Sequence, residues 1–92
     1  MAQTYANVTA STTWQDLVAT YAGMANTASF VQNSGPGALV VQFTSSGSAP
    51  TAGSTDGIVL NATNSAIALG TAAHIWVRAL NDACTVRCGL TD

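Results

Sequence analysis

Few side chains in this sequence of 92 residues could carry out acid–base or nucleophilic chemistry. His74 is its one histidine, and it is the only good candidate for the base that a Ser, Thr or Cys nucleophile would require. It opens a predicted strand, where we expect a structural role. The acidic side chains fall at a helix start, in a loop, in a turn and at the chain end: Asp16, Asp56, Asp82 and Asp92. Nothing in their spacing pairs them, so we expect that the protein is not an enzyme.

The two cysteines, Cys84 and Cys88, are four residues apart in a predicted strand. Residues at this spacing share one face and lie about 13 Å apart, at a rise of about 3.3 Å per residue. The Cα atoms of a disulfide lie within about 7 Å of each other. A metal site would need further ligands, and the sequence offers a single histidine. We therefore expect two unbridged thiols that face the core with Val86, and no metal or other cofactor.

Charge is scarce in this sequence. Only 7% of the residues are charged, against about 25% in an average protein, and neither Lys nor Glu occurs. Arg78 and Arg87, at a net charge of −2, cannot supply the basic stripe that binds nucleic acid or an anionic membrane. No run reaches the ~18 apolar residues of a membrane-spanning helix. Residues 1–4 lack the features of a secretion signal, so we expect synthesis and retention in a cytoplasm until assembly.

A short helix is predicted in the segment 12–24. Thr13 is a candidate N-cap, with Asp16 three residues later in a weak variant of the capping box. The apolar side chains recur at the spacing of one helical face, and they are Trp14, Leu17, Val18 and Tyr21. Two turns are too few for a helix that is stable alone. We therefore expect this face to cover one end of a β-sheet.

The remaining pattern is that of short strands separated by turns. Strands are predicted in 5–12, in a hairpin over 27–44, in 57–61 and 65–70, and in a second hairpin formed by 73–80 and 83–90. The segment 44–57 reads as a long polar loop. Alternation of polar and apolar residues favours antiparallel pairing. The sequence thus predicts an all-β fold, a small antiparallel β-sandwich of six or seven strands with one short helix, as a single domain over residues 1–92.

Two tryptophans leave a further possibility open. Trp14 and Trp76 could stack on sugar rings, which would make the chain a binding module. Both also fit a core, because aromatic side chains supply much of the apolar area of a small domain. The pattern favours the core for Trp14. It does not decide for Trp76, which shares its strand face with Arg78.

Four segments together carry a likeness to known proteins. They are a "TTW-x-x-L" helix, the hairpin "SFVQNSGPGALVVQF", the loop and strand "SAPTAGSTDGIVL", and the strand "IWVRAL". In this order they resemble small virion structural proteins of tailed bacteriophages, over roughly residues 12–80. The resemblance implies a β-sandwich component of the phage particle without catalytic residues. The C-terminal "ACTVRCGL" is not part of the shared pattern.

This resemblance leads to a hypothesis about function. We expect a capsid cement or decoration protein that binds the major capsid protein or another virion protein, and a tail or baseplate component is the alternative. A homo-oligomer would cover the uncharged hairpin, since such an edge promotes aggregation on a free monomer. The resemblance implies a trimer. The candidate interface residues lie in the hairpin, in the loop and at the two arginines, and they are Asn33, Gly35, Pro36, Ala49, Pro50, Asp56, Arg78 and Arg87.

Overall fold

The computed structural model describes residues 2–91, apart from the side chain of Leu69. This part of the chain forms one α-helix, α1 (Leu17–Thr20), one 3₁₀ turn (Ala22–Met24) and nine strands. The strands are β1 (Gln3–Thr4), β2 (Val8–Ala10), β3 (Gln15–Asp16), β4 (Ser29–Pro36), β5 (Leu39–Thr44), β6 (Ile58–Leu60), β7 (Ala66–Leu69), β8 (His74–Ala79) and β9 (Cys84–Leu90). The predicted all-β fold is confirmed. The additional strands are pairings of two or three residues near the N-terminus.

The strands form two antiparallel sheets. The first sheet has the order β1–β9–β4–β7, and β2 pairs with β9 as well. The second sheet has the order β3–β8–β5–β6. Residues 11–14 join β2 to β3, and residues 61–65 join β6 to β7. Each of these short connections therefore places an edge of one sheet beside an edge of the other.

The two predicted hairpins are wrong in the same way. β4 pairs with β9 and β7, whereas β5 pairs with β8 and β6, so the turn between them carries the chain from one sheet to the other. β8 and β9 likewise lie in different sheets. A period of two identifies a strand with one buried face but does not say which strand lies beside it. Turn residues between two strands are thus compatible with a connection that carries the chain to the other sheet as well as with a hairpin.

The main core lies between the sheets. Its fully buried side chains alternate along the central strands, and they include Val31, Leu39, Val41, Ile75, Val77, Cys84, Val86 and Cys88. Both cysteines are free and buried, as predicted from their spacing. A smaller cluster of Trp14, Val40 and Trp76 lies on the outer face of the second sheet. β8 therefore contributes buried side chains to both of its faces.

The helix is shorter than predicted and begins later. Gln15 and Asp16 pair with Val77 and Trp76 as strand β3, so the chain turns helical only at Leu17. The N-cap is Asp16, not Thr13, because pairing with β8 holds the preceding residues extended. Three members of the predicted face, Leu17, Val18 and Tyr21, contact the main core as expected. Trp14 does not, since it precedes the helix and lies in the outer cluster.

Candidate interaction surfaces

One side of the sandwich exposes two strand edges. β6 is the last strand of the second sheet and pairs only with β5 within the described chain, and β7 is the last strand of the first sheet and pairs only with β4. We call the surface formed by β6, β7 and their connection 61–65 the edge flank. The backbone groups on the outer side of these strands lack a neighbouring strand among residues 2–91. A sheet edge of this kind is a site at which another strand can pair.

The edge flank is uncharged, and β6 exposes apolar side chains on it. Ile58 is 40% exposed and Val59 is 46% exposed, and they are the exposed large hydrophobic side chains among those the structure describes. The sequence from Gly57 to Ala73 contains no ionisable side chain. Natural edge strands are commonly protected by Lys or by inward-pointing charges. Here neither device is present in the sequence, so the flank has the character of an interface.

Asn33 attaches the edge flank to the rest of the fold. Its Nδ2 donates hydrogen bonds to the carbonyls of Gly37, at 2.7 Å, and Leu60, at 2.8 Å. Its Oδ1 accepts from the N–H of Gly35 at 2.7 Å. Its carbonyl accepts from the N–H of Asn64 at 2.6 Å. Asn33 is fully buried, so this predicted interface residue is instead the internal bridge between the β4–β5 turn and β6.

The turn between β4 and β5 depends on a glycine. Gly35 has φ of +81°, a conformation that residues with a Cβ rarely adopt. A Cβ there would lie 2.8 Å from Oγ1 of Thr63. Gly35 is buried, whereas Pro36, which follows it through a cis peptide bond, is exposed. Of these two predicted interface residues, only Pro36 has an exposed side chain.

The polar loop 45–57 lies over the outer face of the second sheet. Three outward side chains of β5 and β8 donate to its backbone carbonyls. Gln42 Nε2 bonds the carbonyl of Asp56 at 2.6 Å, and Trp76 Nε1 bonds that of Ser46 at 3.4 Å. Arg78 completes the set through Nη1, which lies 3.2 Å from the carbonyl of Ser54. The loop thereby covers much of a sheet face that would otherwise be open.

Arg78 was a predicted interface residue, and the structure assigns it an internal role. Its side chain is buried, with 6% of the residue exposed. Nε donates to the carbonyl of Ala79 at 2.9 Å, and Nη2 to that of Leu80 at 3.4 Å. A buried guanidinium is stabilised when its donors meet several acceptors. Arg78 therefore holds the loop and the end of β8 together, and Arg87 has no such role.

A cavity of about 150 Å³ opens beside Trp14 under the loop. It is lined by Thr12 and Thr13 on one side and by Ala49, Pro50, Ala52 and Gly53 on the other. Trp14 is 8% exposed. Its Nε1 is buried and finds no acceptor among the described residues. Two predicted interface residues, Ala49 and Pro50, thus line the same cavity as Trp14.

His74 has the structural role that the sequence predicts. Its Nδ1 lies 2.7 Å from Oδ2 of Asp16. Oδ1 of the same carboxylate accepts from the N–H of Val18 at 2.9 Å and from that of Ile75 at 3.3 Å. The carboxylate thus caps α1 and anchors the start of β8. Within residues 2–91, no three His, Cys, Asp or Glu side chains come together as metal ligands.

The remaining predicted interface residues lie far apart on the surface. Asp56 is exposed at the end of the loop, on the outer side of the second sheet. Arg87 is exposed on the outward side of β9, in the other sheet, with Nη1 3.5 Å from Oε1 of Gln32. The eight predicted residues therefore do not form one patch. Sequence reasoning missed Ile58 and Val59, although an apolar run directly after a polar loop was a signal for an exposed edge.

Burial also changes the chemistry of the thiols. Removal from water disfavours the thiolate, so burial raises the pKa of Cys84 and raises that of Cys88 to about 11. Both thiols are therefore protonated and unreactive near neutral pH.

No known family, no curated protein and no solved structure matches this chain. In the part that the structure describes, no helix has the length and apolar character needed to cross a membrane.

Proposed function

We propose that this chain is a structural protein of a tailed-phage particle, and that it binds the outside of the assembled head as a cement or decoration protein. The edge flank is the observation that carries the proposal. Ile58 and Val59 expose apolar surface on a strand that has one free edge within the described chain, and residues 57–73 have no charge. Interface cores are depleted of charged residues in the same way. The resemblance to small virion proteins supplies the setting in which such a surface is covered.

Stabilisation of the head follows from mass action. A protein that binds assembled capsomers but not free ones shifts the equilibrium toward the assembled state, by RT ln(1 + [L]/Kd) for each site. Bridging two adjacent capsomers is sufficient for this effect, and no chemical step is required. The partner is then the major capsid protein or another virion protein. The chain is made in the host cytoplasm and functions in the virion.

Self-association is part of the same proposal. A chain of this size buries only about two thirds of the surface that its unfolded form exposes. Covering the edge flank with a neighbouring copy would add buried apolar area. The trimer implied by the resemblance remains a prediction, and the mass of the protein in solution decides it.

A second candidate function rests on the cavity beside Trp14. A sugar-binding module used for host attachment would place a sugar against the indole, with the hydroxyls of Thr12 and Thr13 close by. Titration of simple sugars, monitored by tryptophan fluorescence, tests this function. A saturable change that is lost in Thr13→Val would favour sugar binding over the cement role.

Particles that lack this chain provide the main test. Purified protein is added to such particles, and its binding and the temperature of head disruption are measured. We expect saturable binding to heads, a raised disruption temperature, and density for the sandwich on the head in a cryo-electron map. Binding to tails or baseplates alone would replace the cement role with the tail role. Absence of binding to either would overturn the proposal.

A further inference from the structure

We propose that the edge flank is a twofold interface between two copies of this chain, in which β6 pairs antiparallel with β6 of the second copy. The inference rests on the self-association in the proposed function, predicts a pair in place of the trimer that the resemblance implies, and does not depend on the phage head. It follows from the placement of β6 and β7 and from the residues that they expose.

The twofold geometry suits both sheets at once. The connection 61–65 places the free edges of β6 and β7 on the same side of the sandwich. A rotation of 180° about an axis perpendicular to the sheets brings β6 opposite β6 of the second copy and reverses its direction. The same rotation brings β7 opposite β7. Each sheet then continues into the corresponding sheet of the second copy. The new pairing is antiparallel, as are the pairings of β6 and β7 within one copy.

The register follows from the side on which each residue points. Leu60 is buried toward the core, Ile58 lies on the same side of the strand, and Val59 points to the opposite side. Full overlap of two three-residue strands sets Val59 opposite Val59 of the second copy, on the axis. Ile58 then lies opposite Leu60 of the second copy. In this register the two exposed side chains of β6 both gain apolar neighbours.

Charge identifies a second copy as the occupant. A partner recognised through charge would need ionisable groups to meet, and residues 57–73 provide none. Two copies of a protein with net charge −2 repel each other weakly, and repulsion is least where neither copy carries charge. The opposite side of the sandwich carries charge, because its strand β3 includes Asp16. The carboxylate of Asp16 already contacts the imidazole of His74. The edge flank is thus the self-complementary side of the molecule.

Engineered cysteines test the register. In the proposed pair, the Cα atoms of Val59 in the two copies lie about 4.5–5.5 Å apart, which suits a disulfide. The Cα atoms of Ile58 in the two copies lie about 8 Å apart, as diagonal neighbours do. We therefore expect Val59→Cys to form a disulfide-linked dimer under mild oxidation and Ile58→Cys to form little. Cys84 and Cys88 are buried and protonated, so they contribute little background.

Thr9→Cys is the matched control on the opposite side, since Thr9 is an exposed residue at the middle of the three-residue edge strand β2. Circular dichroism verifies that each variant is folded. A linked dimer for Val59→Cys alone supports the twofold pair. Equal linking of Val59→Cys and Thr9→Cys, which random collision would produce, overturns it.

Light scattering supplies a measurement without new cysteines. We expect the mass of the unmodified protein to rise with concentration toward twice 9.3 kDa. Val59→Lys should remain a monomer, because it places two like charges on the axis, whereas Thr9→Lys should still dimerise. A monomer at all concentrations, or a trimer, overturns the twofold pair. Particle binding that persists in monomeric Val59→Lys would leave the cement role standing while separating it from self-association.

Discussion

Oδ2 of Asp16 lies 2.7 Å from Nδ1 of His74, and this contact joins the residue that caps the only α-helix in the described chain to the first residue of β8. The other carboxylate oxygen accepts from the N–H groups of Val18 and Ile75. The side chain of Asp16 thus fixes the start of α1 and the start of β8, although Asp16 and His74 are 58 residues apart in the sequence.

Asp16→Ala should lower the free energy of unfolding by about 2–4 kcal/mol. Loss of an N-cap costs about 1 kcal/mol, and each further hydrogen bond contributes about 1 kcal/mol. Asp16→Asn should cost less, because its amide oxygen can still cap the helix. Urea denaturation measures the difference. A double-mutant cycle with His74→Ala isolates the pair itself, and additive effects would show that the contact adds nothing to stability.

Asn33→Ala should destabilise the fold by about 3–5 kcal/mol, because it removes two buried hydrogen bonds and a partly buried one and leaves two carbonyls without their donor. Gln32→Ala is the control on the same strand. Its amide bonds the carbonyl of Asn64 in an exposed position, and its loss should cost less than about 1 kcal/mol. Equal losses of stability in the two variants would contradict the bridging role of Asn33.

Arg78→Met should release the loop 45–57 while leaving the sheets folded. Hydrogen bonds from a charged donor contribute roughly 1.5–3 kcal/mol, so local opening of the loop should increase by about tenfold or more. Limited digestion with a non-specific protease, followed by mass spectrometry, locates and times the first cut. Arg87→Met is the matched control, since Arg87 is exposed and its guanidinium hydrogen-bonds Gln32 alone among the described residues. Faster loop cleavage in both variants would mean that Arg78 has no special role.

Cys88 should make stability depend on alkaline pH. Its pKa is raised by burial to about 11 from an ordinary value of 9.0. Between these values the unfolded chain loses the thiol proton while the folded chain keeps it, so stability falls as pH rises from about 9 to 11. The two-unit difference corresponds to at most about 2.7 kcal/mol. Urea denaturation across this pH range measures the free energy of unfolding of the unmodified protein and of Cys88→Ala. If that free energy falls equally with pH in both, the raised pKa of Cys88 is not the cause.

Trp14→Ala should cost about 3–5 kcal/mol, the usual loss for a buried aromatic side chain. Trp14→Phe should cost much less, because it keeps an aromatic ring and gives up no hydrogen bond to another described residue. Thermal unfolding of the two variants makes the comparison. An unchanged midpoint in Trp14→Ala would show that the outer cluster does not support the fold, and would strengthen the sugar-binding alternative.

Alternation along single strands was sufficient to predict the faces of β8 and β9. Cys84, Val86 and Cys88 lie inward because a period of two fixes every second side chain once one face is buried. The neighbours of each strand were not predictable in this way. Gly35 and Pro36 signal a turn, but the contacts of Asn33 with distant Leu60 and Asn64 decide where the turn leads.

The same limit applies to the helix and to the surface. Local capping signals at Thr13 were overridden by the pairing of Gln15 and Asp16 with β8, a contact between segments far apart in sequence. Arg78 was expected at the surface because arginine usually is. Its burial follows from three carbonyls that converge on it, two of them next to it in sequence and one in the loop.

The crossing of the chain between sheets has a consequence for how the protein folds. β4 to β5, β6 to β7, β7 to β8 and β8 to β9 each pass from one sheet to the other, so no tight hairpin is available as an early local structure. Every ladder of β4, β8 and β9 joins strands distant in sequence, and loops must close before any of them forms. Folding rates fall as such non-local pairing increases. The two sheets must therefore assemble together, in a slow and cooperative step.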